Sequence, residues 1–300
     1  MNCPACGSAE NRKIGKSGIY ALNLCDNCGV EYWTPLEHPG EEFYETNHLH
    51  DIVEARNLQW RHREFLKNHP SAGDMLDIGC GTGEFLASCR GLGFKVMGVD
   101  IAPRNVAEAR NRYGIEVFKG TLAGFINEFP GKRFDVITFF EIVEHLADPK
   151  SFFDDVKKLL KPNGCIIMSV PNVDRFGGPK EKEEIPPNHL FRWRKSALEK
   201  FLSSQGFRDI AITLQPISSE FFLVRGWFSF GIAGKKDPRN APQGKTSRIP
   251  EIGMTTELLQ KAAKIKNKIV YPLAVIMAAP LRLLGYKYWD MYAVAALKNK

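Results

Sequence analysis

The sequence predicts an α/β fold in which helices cover both faces of a parallel sheet. Short apolar runs alternate with amphipathic segments through the middle of the chain, and a glycine-rich turn follows the first of these runs. Such alternation requires crossover connections, which join parallel strands. The expected strands are 74–78, 95–99, 115–118, 134–140 and 164–170, and the expected helices are 83–92, 103–112, 121–128 and 148–160.

The glycine-rich turn, from Leu76 to Phe85, predicts a nucleotide-type cofactor site. Glycine lets the backbone turn tightly and approach a ligand, and the following helix offers unpaired N–H groups. The spacing Gly-x-Gly-x-Gly differs from the usual dinucleotide fingerprint, which would need glycine at position 84. Asp77 precedes the turn, and Asp100 ends the next strand, where a carboxylate can accept both hydroxyls of a ribose.

With these residues the chain resembles the class I S-adenosylmethionine-dependent methyltransferases, whose glycine motif it matches from Asp77 to Gly83. The resemblance implies a Rossmann-like, seven-stranded sheet whose last strand inserts between the fifth and sixth. Many members carry an acid after the third strand that bonds adenine, but Lys119 to Leu122 contains none, so backbone groups or Thr121 would have to replace it. The residues expected at the cofactor are Asp77, Gly79, Cys80, Gly81, Gly83, Asp100, Ile101, Thr121, Phe140 and Glu141.

The fourth strand runs into a segment that contains Glu141, Glu144 and His145. On a helical turn these side chains would share one face, where they could bind a divalent ion or act as acid, base and orienter. The pattern resembles that of the ubiquinone-biosynthesis O-methyltransferases, which implies Mg²⁺ at these residues. Shaping of the active site without metal, and a purely structural role, remain open alternatives.

His189 lies in a later loop, at the same carboxyl edge of the predicted sheet. A histidine there could act as general base for a hydroxyl, or could simply pack at the entry of the next helix. The predicted catalytic set is therefore Glu141, Glu144, His145 and His189. The remaining histidines are expected on the surface or on helix faces: His38, His48, His50, His62 and His69.

Four of the seven cysteines form two Cys-x-x-Cys knuckles, Cys3 with Cys6 and Cys25 with Cys28, each followed by glycine. This spacing is typical of a zinc ribbon, in which four thiolates hold a structural Zn²⁺ and leave no open coordination position. A redox pair and unconnected thiols are the alternatives. Ribbon strands are expected at 13–24 and 30–34, and the other cysteines are interpreted as small buried residues: Cys80, Cys89 and Cys165.

The last part of the chain differs sharply in charge. From Pro216 to Lys300 there are 14 Lys or Arg and 5 Asp or Glu, a net charge of +9, whereas the whole chain carries +7. Ser196 is expected to cap a helix that precedes a strand at 207–214, and a final strand is expected at 291–297. The predicted organisation is a ribbon (1–35), a helical connector (36–71), a core (72–215 and 288–300) and an insertion (216–287).

The insertion is interpreted as a substrate lid, a peripheral membrane contact through 258–286, or an oligomer interface. The resemblance implies methyl transfer to a small-molecule, glycan or lipid-linked acceptor, with O-methylation favoured. An RNA methyltransferase and a non-catalytic adaptor are the alternatives. The N-terminus lacks a secretory pattern, so we expect a cytoplasmic protein, with a peripheral site at the inner face of the membrane as a variant. Neither the acceptor nor the oligomeric state follows from the sequence.

Overall fold

The computed structural model describes residues 2–37, 58–175, 184–216 and 287–298, together with the single positions 276, 279, 280 and 283. The strands are β1 (Asn11–Ser17), β2 (Tyr20–Cys25), β3 (Glu31–Thr34), β4 (Asp74–Ile78), β5 (Lys95–Asp100), β6 (Val117–Lys119), β7 (Phe134–Phe140), β8 (Leu160–Pro171), β9 (Phe191–Arg192), β10 (Phe207–Pro216) and β11 (Lys287–Leu297). The α-helices are α1 (Trp60–Asn68), α2 (Glu84–Gly91), α3 (Pro103–Tyr113), α4 (Leu122–Glu128), α5 (Pro149–Leu159) and α6 (Lys195–Ser204).

The larger sheet has seven strands in the order β10-β11-β8-β7-β4-β5-β6. Strands β4 to β8 pair in parallel, whereas β11 is antiparallel to β8, with Asp290 opposite Pro171. The last strand therefore lies between the fifth and sixth strands of this sheet, and the expected Rossmann-like class is confirmed. Because the strand order reverses between β4 and β7, ligands are expected at the carboxyl ends of these two strands.

Local sequence explains why the helices begin where they do. Proline at the first helical position starts α3 and α5, since its missing N–H would be unpaired there anyway. The side chains of Thr121 and Asp148 each accept a hydrogen bond from the first turn of α4 and α5. The predicted cap at Ser196 is wrong. Helix α6 begins at Lys195, two residues after Trp193, which forms a β-bridge with Asn172, so Ser196 lies inside the helix.

The smaller sheet has four strands in the order β1-β2-β3-β9. The predicted single strand at 13–24 is wrong, because Gly18, at φ 57°, and Ile19 form a tight turn that divides it into the hairpin β1–β2. The fourth strand, β9, comes from a distant part of the chain and pairs with β3. The expected ribbon therefore shares a sheet with a segment that follows the fifth strand of the larger sheet.

The chain divides into two compact units, Met1–Gln215 with Trp289–Lys300, and Pro216–Tyr288. In the second unit the described positions 276, 279, 280 and 283 are helical, and Ile276 and Leu283 are exposed. The membrane contact predicted for 258–286 otherwise lies outside the described residues, as do most of the predicted insertion and positions 38–57 of the predicted connector. Among the described residues, the helices are too short or too polar to cross a bilayer.

Candidate functional site

The glycine turn lies where the sequence places it, between β4 and α2. Gly79, Gly81 and Gly83 all have positive φ, at 74°, 54° and 81°. The positive φ favours glycine at position 79, and a Cβ atom there would also lie 2.5 Å from Cδ1 of Ile142, whose side chain would have to move. The turn thus brings bare backbone to the carboxyl edge of the sheet.

Asp100 holds this turn from the neighbouring strand. Its Oδ2 accepts a hydrogen bond of 2.8 Å from the Gly81 N–H, and its Oδ1 accepts one of 2.8 Å from the Ala102 N–H. The Asn105 side-chain amide is a third donor, 3.4 Å from Oδ1. Asp100 ends β5 beside the glycine turn, as the sequence predicts, and its carboxylate fixes that turn.

Asp77 lies deeper than the turn and is buried inside the sheet. Its Oδ1 accepts a 2.6 Å hydrogen bond from the Thr138 hydroxyl, which joins β4 to β7. Burial raises the pKa of Asp77 to about 7, although the bond from Thr138 acts in the opposite direction. This geometry makes Asp77 a connection between strands beneath the cofactor turn.

The other predicted cofactor residues differ in what they can offer. Cys80 is buried beside Gly98, and Thr121 uses its hydroxyl as the cap of α4. Phe140 packs edge-on against Phe85, and Ile101 follows Asp100 and is partly buried. The contact of these four residues with a cofactor stays a prediction.

His62 lies on a buried face of helix α1, which is the second of the two placements expected from the sequence. Its ring stacks on Phe85, with centroids 4.9 Å apart, and meets Phe140 edge-on at 5.3 Å. Burial, reinforced by Arg61 and Arg63, lowers its pKa to about 3, so the ring is neutral. His62 therefore packs α1 against the aromatic residues beside the cofactor turn.

Glu141 does not join Glu144 and His145. It has φ 55° and accepts a 2.6 Å hydrogen bond from Ser169 of β8, whereas Glu144 and His145 lie in a short 3-10 helix, Val143–His145. The predicted spacing on one helical face assumed a regular α-helix, so this prediction is wrong. His189 takes the place of Glu141: the ligand atoms of Glu144, His145 and His189 lie within 4.8 Å of one another.

The donor set that does come together, two imidazoles and one carboxylate, does not fit Mg²⁺. Magnesium prefers an octahedral shell of oxygen atoms, and the second carboxylate expected for it, Glu141, faces Ser169. Glu144 is fully buried, and neither of its oxygens has a hydrogen-bond partner among the described residues. Burial and the nearby charge of Glu141 raise the pKa of Glu144 well above its ordinary value, which favours a neutral acid.

The two histidines are oriented through their Nδ1 atoms. His145 Nδ1 lies 2.7 Å from the Asn188 carbonyl, and His189 Nδ1 lies 3.5 Å from Oε2 of Glu184. Glu184 in turn pairs with Arg175 at 2.9 Å. The Nδ1 of His145 is thus within hydrogen-bond distance of the Asn188 carbonyl, whereas the Nδ1 of His189 faces Glu184 and makes no hydrogen bond with the described residues. Neither Glu184 nor Arg175 is predicted from the sequence, because the residues between them, 176–183, show no periodic pattern.

A second buried pair lies at the same edge, between α1 and β11. Arg61 Nη1 is 3.3 Å from Oδ2 of Asp290, and Asp290 is 6% exposed. Burial, together with the charge of Glu141, raises the pKa of Asp290 to about 8, against the opposing effect of Arg61. The sequence does not predict this pair, because the expected final strand begins at 291, one residue after Asp290.

Asp290→Asn is expected to change how stability depends on pH. The unfolded carboxyl has a pKa of 3.8, whereas the folded one has about 8, so the native state of the wild type holds a proton that the unfolded state has lost. The free energy of unfolding should therefore fall from about pH 4 to about pH 8 through this group, and the variant should lose that slope. Urea denaturation across this range measures it, with exposed Asp154→Asn as control; equal slopes in wild type and Asp290→Asn would contradict the prediction.

The four knuckle cysteines meet in one cluster. Cys3 and Cys28 sulfurs lie 3.8 Å apart, Cys6 and Cys25 sulfurs lie 3.6 Å apart, and all four lie within 4.8 Å of one another. The glycines that follow each knuckle have φ 78° and 81°, which lets the chain turn around the sulfurs. The cluster matches a tetrahedral four-thiolate site. The remaining cysteines lie elsewhere, and burial raises the pKa of Cys165 to about 11.

Comparison with known proteins gives consistent matches. A family model described as "Methyltransferase domain" matches residues 48–212, more than half of the chain. A "Ubiquinone biosynthesis O-methyltransferase" of Cereibacter sphaeroides is 39% identical over 102 residues, which are 33% of this chain and 41% of that protein. The protein of the same name from Bartonella tribocorum is 30% identical over 167 residues, 49% of this chain and 66% of that protein. The chain thus spans less than half the length of the first relative.

Among solved structures, a SAM-dependent methyltransferase from Archaeoglobus fulgidus aligns with a TM-score of 0.50 at 20% identity. The alignment covers 85% of this chain and 98% of that one. This likeness concerns the fold, and it agrees with the seven-stranded sheet described above.

Proposed function

Since the chain belongs to the methyltransferase-domain family, we propose that it transfers the methyl group of S-adenosylmethionine to a hydroxyl of a small-molecule acceptor. One observation carries the proposal. The glycine turn that Asp100 holds follows β4, and His145, whose ring contacts that of His189, follows the neighbouring parallel strand β7. The first offers a cofactor site, and the second offers bases for the acceptor.

The cofactor would lie over Gly79 and Gly81. Asp100 would accept the ribose hydroxyls, and Phe140 and Ile101 would line the adjoining wall. Arg61, whose charge acts on both Asp77 and Asp290, supplies positive charge near this site for the carboxylate of the cofactor. Methyl transfer is an in-line displacement at a carbon activated by sulfonium, so the protein has mainly to align the reactants and exclude water.

His189 is proposed as the general base that removes the proton of the acceptor hydroxyl. Glu184 faces its Nδ1, so Nε2 would take the proton, and the resulting imidazolium would be stabilised by the carboxylate. The ring of His145, 4.7 Å away and nearly perpendicular, would fix the orientation of His189. Glu144, as a neutral buried acid behind both rings, would support their arrangement without contacting the acceptor.

A structural Zn²⁺ is proposed in the four-cysteine cluster. Four sulfurs within 4.8 Å of one another, with no other ligand needed, fit a closed tetrahedral site. The identity of the acceptor depends in part on residues 216–287, and the lid and membrane interpretations of that segment stay predictions. The names of the curated relatives favour an O-methyl acceptor over RNA.

Calorimetric titration of the zinc-loaded protein with S-adenosylmethionine and S-adenosylhomocysteine tests the cofactor assignment. Micromolar binding of both is expected, and the absence of heat with folded protein would contradict the proposal. Turnover of S-adenosylmethionine with a panel of hydroxyl acceptors would then identify the acceptor class.

His189→Gln is expected to lower kcat by about 100-fold while leaving the affinity for S-adenosylmethionine unchanged, because general-base catalysis contributes about 10²-fold or more. His69→Gln is the control, since His69 packs on Phe65 and Phe94 away from the proposed base. An unchanged kcat in His189→Gln would remove His189 from the mechanism.

A further inference from the structure

The four-cysteine ribbon is continuous with the segment that carries His189. We propose that the ribbon is a structural part of the methyl-transfer site, in which Glu31 is the positioning residue that holds the segment 189–194. This inference rests on the function proposed above. It predicts that removal of zinc from the ribbon alters the segment 189–194, which carries the proposed base, and leaves the glycine turn proposed for the cofactor unchanged.

Backbone hydrogen bonds connect the ribbon to the histidine pair. Strand β3 pairs with β9, with Tyr32 opposite Phe191. The Trp33 N–H donates a 2.9 Å bond to the Leu190 carbonyl, and the Leu190 N–H donates a 2.8 Å bond to the Glu144 carbonyl. The residue that follows His189 is therefore held by the ribbon on one side and by the acid-histidine turn on the other.

Charged groups add a second set of connections. Glu31 Oε1 accepts a 3.0 Å bond from Nη2 of Arg194, and Glu31 Oε2 lies 3.9 Å from Nη1 of Arg192. Arg194 also donates a 2.6 Å bond to the carbonyl of Gly29, the residue directly after the second knuckle. Glu31 is only 9% exposed, so these contacts are shielded from solvent and salt.

The same two regions share a hydrophobic core. Tyr32 contacts Phe191, Phe191 stacks on Trp193 at 5.6 Å, and Trp193 meets Phe201 of α6 at 5.1 Å. Buried residues of the ribbon and of the larger sheet belong to one continuous cluster. Because β9 pairs with β3, this edge of β3 is already occupied within the chain and is not open to a strand of another protein.

Loss of the metal would act through the second knuckle. Without an ion, the four sulfurs keep only weak thiol contacts with one another, and the second knuckle would loosen although Asp26 still donates its N–H to the Glu10 carbonyl. Gly29 and Glu31, the anchors of Arg194, follow that knuckle by one and three residues. Asp100 and the glycine turn are braced within the larger sheet, so the cofactor site should keep its geometry.

Hydrogen-exchange mass spectrometry on the full chain tests this inference. Amide exchange in residues 190–194 is expected to become about tenfold faster after a chelator has removed the zinc, and also in Glu31→Gln. Both changes weaken the charged hydrogen bond from Arg194 to Glu31. Exchange at Leu76–Ile78 should stay unchanged. In turnover assays, kcat should fall by about tenfold, while the affinity for S-adenosylmethionine stays at its wild-type value.

Arg12→Gln is the matched control, because it removes an exposed ribbon ion pair with Asp26 that does not touch the core. If Glu31→Gln fails to fold, Arg194→Gln removes the same connection from the other side. Unchanged exchange at 190–194 after complete loss of zinc would overturn the inference, as would an equal loss of cofactor affinity. If no acceptor is ever methylated, the proposed function fails, but the exchange result still decides whether the ribbon holds this segment.

Discussion

Asp100→Ala is expected to weaken the binding of S-adenosylmethionine by on the order of 100-fold or more. The substitution removes the proposed acceptor of the ribose hydroxyls, and it also removes the bonds to the Gly81 and Ala102 N–H groups that fix the turn. Hydrogen bonds to charged groups contribute about 1.5–3 kcal/mol each, and every 1.4 kcal/mol is about tenfold in affinity. Calorimetry on the zinc-loaded protein measures the change.

Two further variants separate the roles of Asp100. Asp100→Asn keeps the shape and one acceptor oxygen, so its affinity should lie between those of wild type and Asp100→Ala. Asp154→Ala removes an exposed carboxylate of α5 that pairs only with Lys157 among the described residues, and its affinity should equal that of wild type. Wild-type affinity in Asp100→Ala would show that the cofactor does not bind beside this carboxylate.

Cys25→Ser is expected to lower the affinity of the ribbon for zinc by several orders of magnitude. Cys25 is fully buried, and its sulfur accepts a hydrogen bond from the Cys28 N–H as well as facing Cys6. Structural zinc in small ribbons is bound with about 10–16 kcal/mol, which far exceeds what a four-stranded sheet of this size supplies by packing alone. Metal content after dialysis against a zinc chelator measures the loss.

Cys165→Ser is the control for this experiment, because Cys165 lies in β8 of the larger sheet and not in the cluster. It should retain one zinc per chain under the same dialysis. Full retention of zinc by Cys25→Ser would contradict a four-thiolate site, and a wild-type protein that binds no zinc would favour a redox pair or unconnected thiols.

The parts of the fold that the sequence predicts are those encoded by neighbouring residues. The turn from β4 to α2 follows from glycines at three nearby positions, and the cysteine cluster follows from two short knuckles. Short apolar runs predict the strands, because a strand of a parallel sheet is buried on both faces and is therefore apolar along most of its length. These features need no knowledge of distant contacts.

The features that the sequence does not reveal depend on distant partners or on unusual backbone angles. Strand β9 has only two residues, Phe191 and Arg192, and it exists because β3 lies beside it. Glu141 leaves the predicted metal-binding face because it adopts a left-handed φ that is uncommon in residues other than glycine. Glu184, which faces His189, is an isolated acid in the sequence, and no pattern around it predicts its position.

The place of β11 in the larger sheet has a consequence for folding order. Residues Asp290 to Ala296 pair with β8, and β11 separates β8 from β10. Until the ribosome has made this strand, nascent chains carry two hydrogen-bonding edges with nothing between them, and such edges attract other chains. The sheet can therefore close only after β11 has been made, and a nonsense mutation before Lys287 should yield a fragment that aggregates instead of a smaller active enzyme.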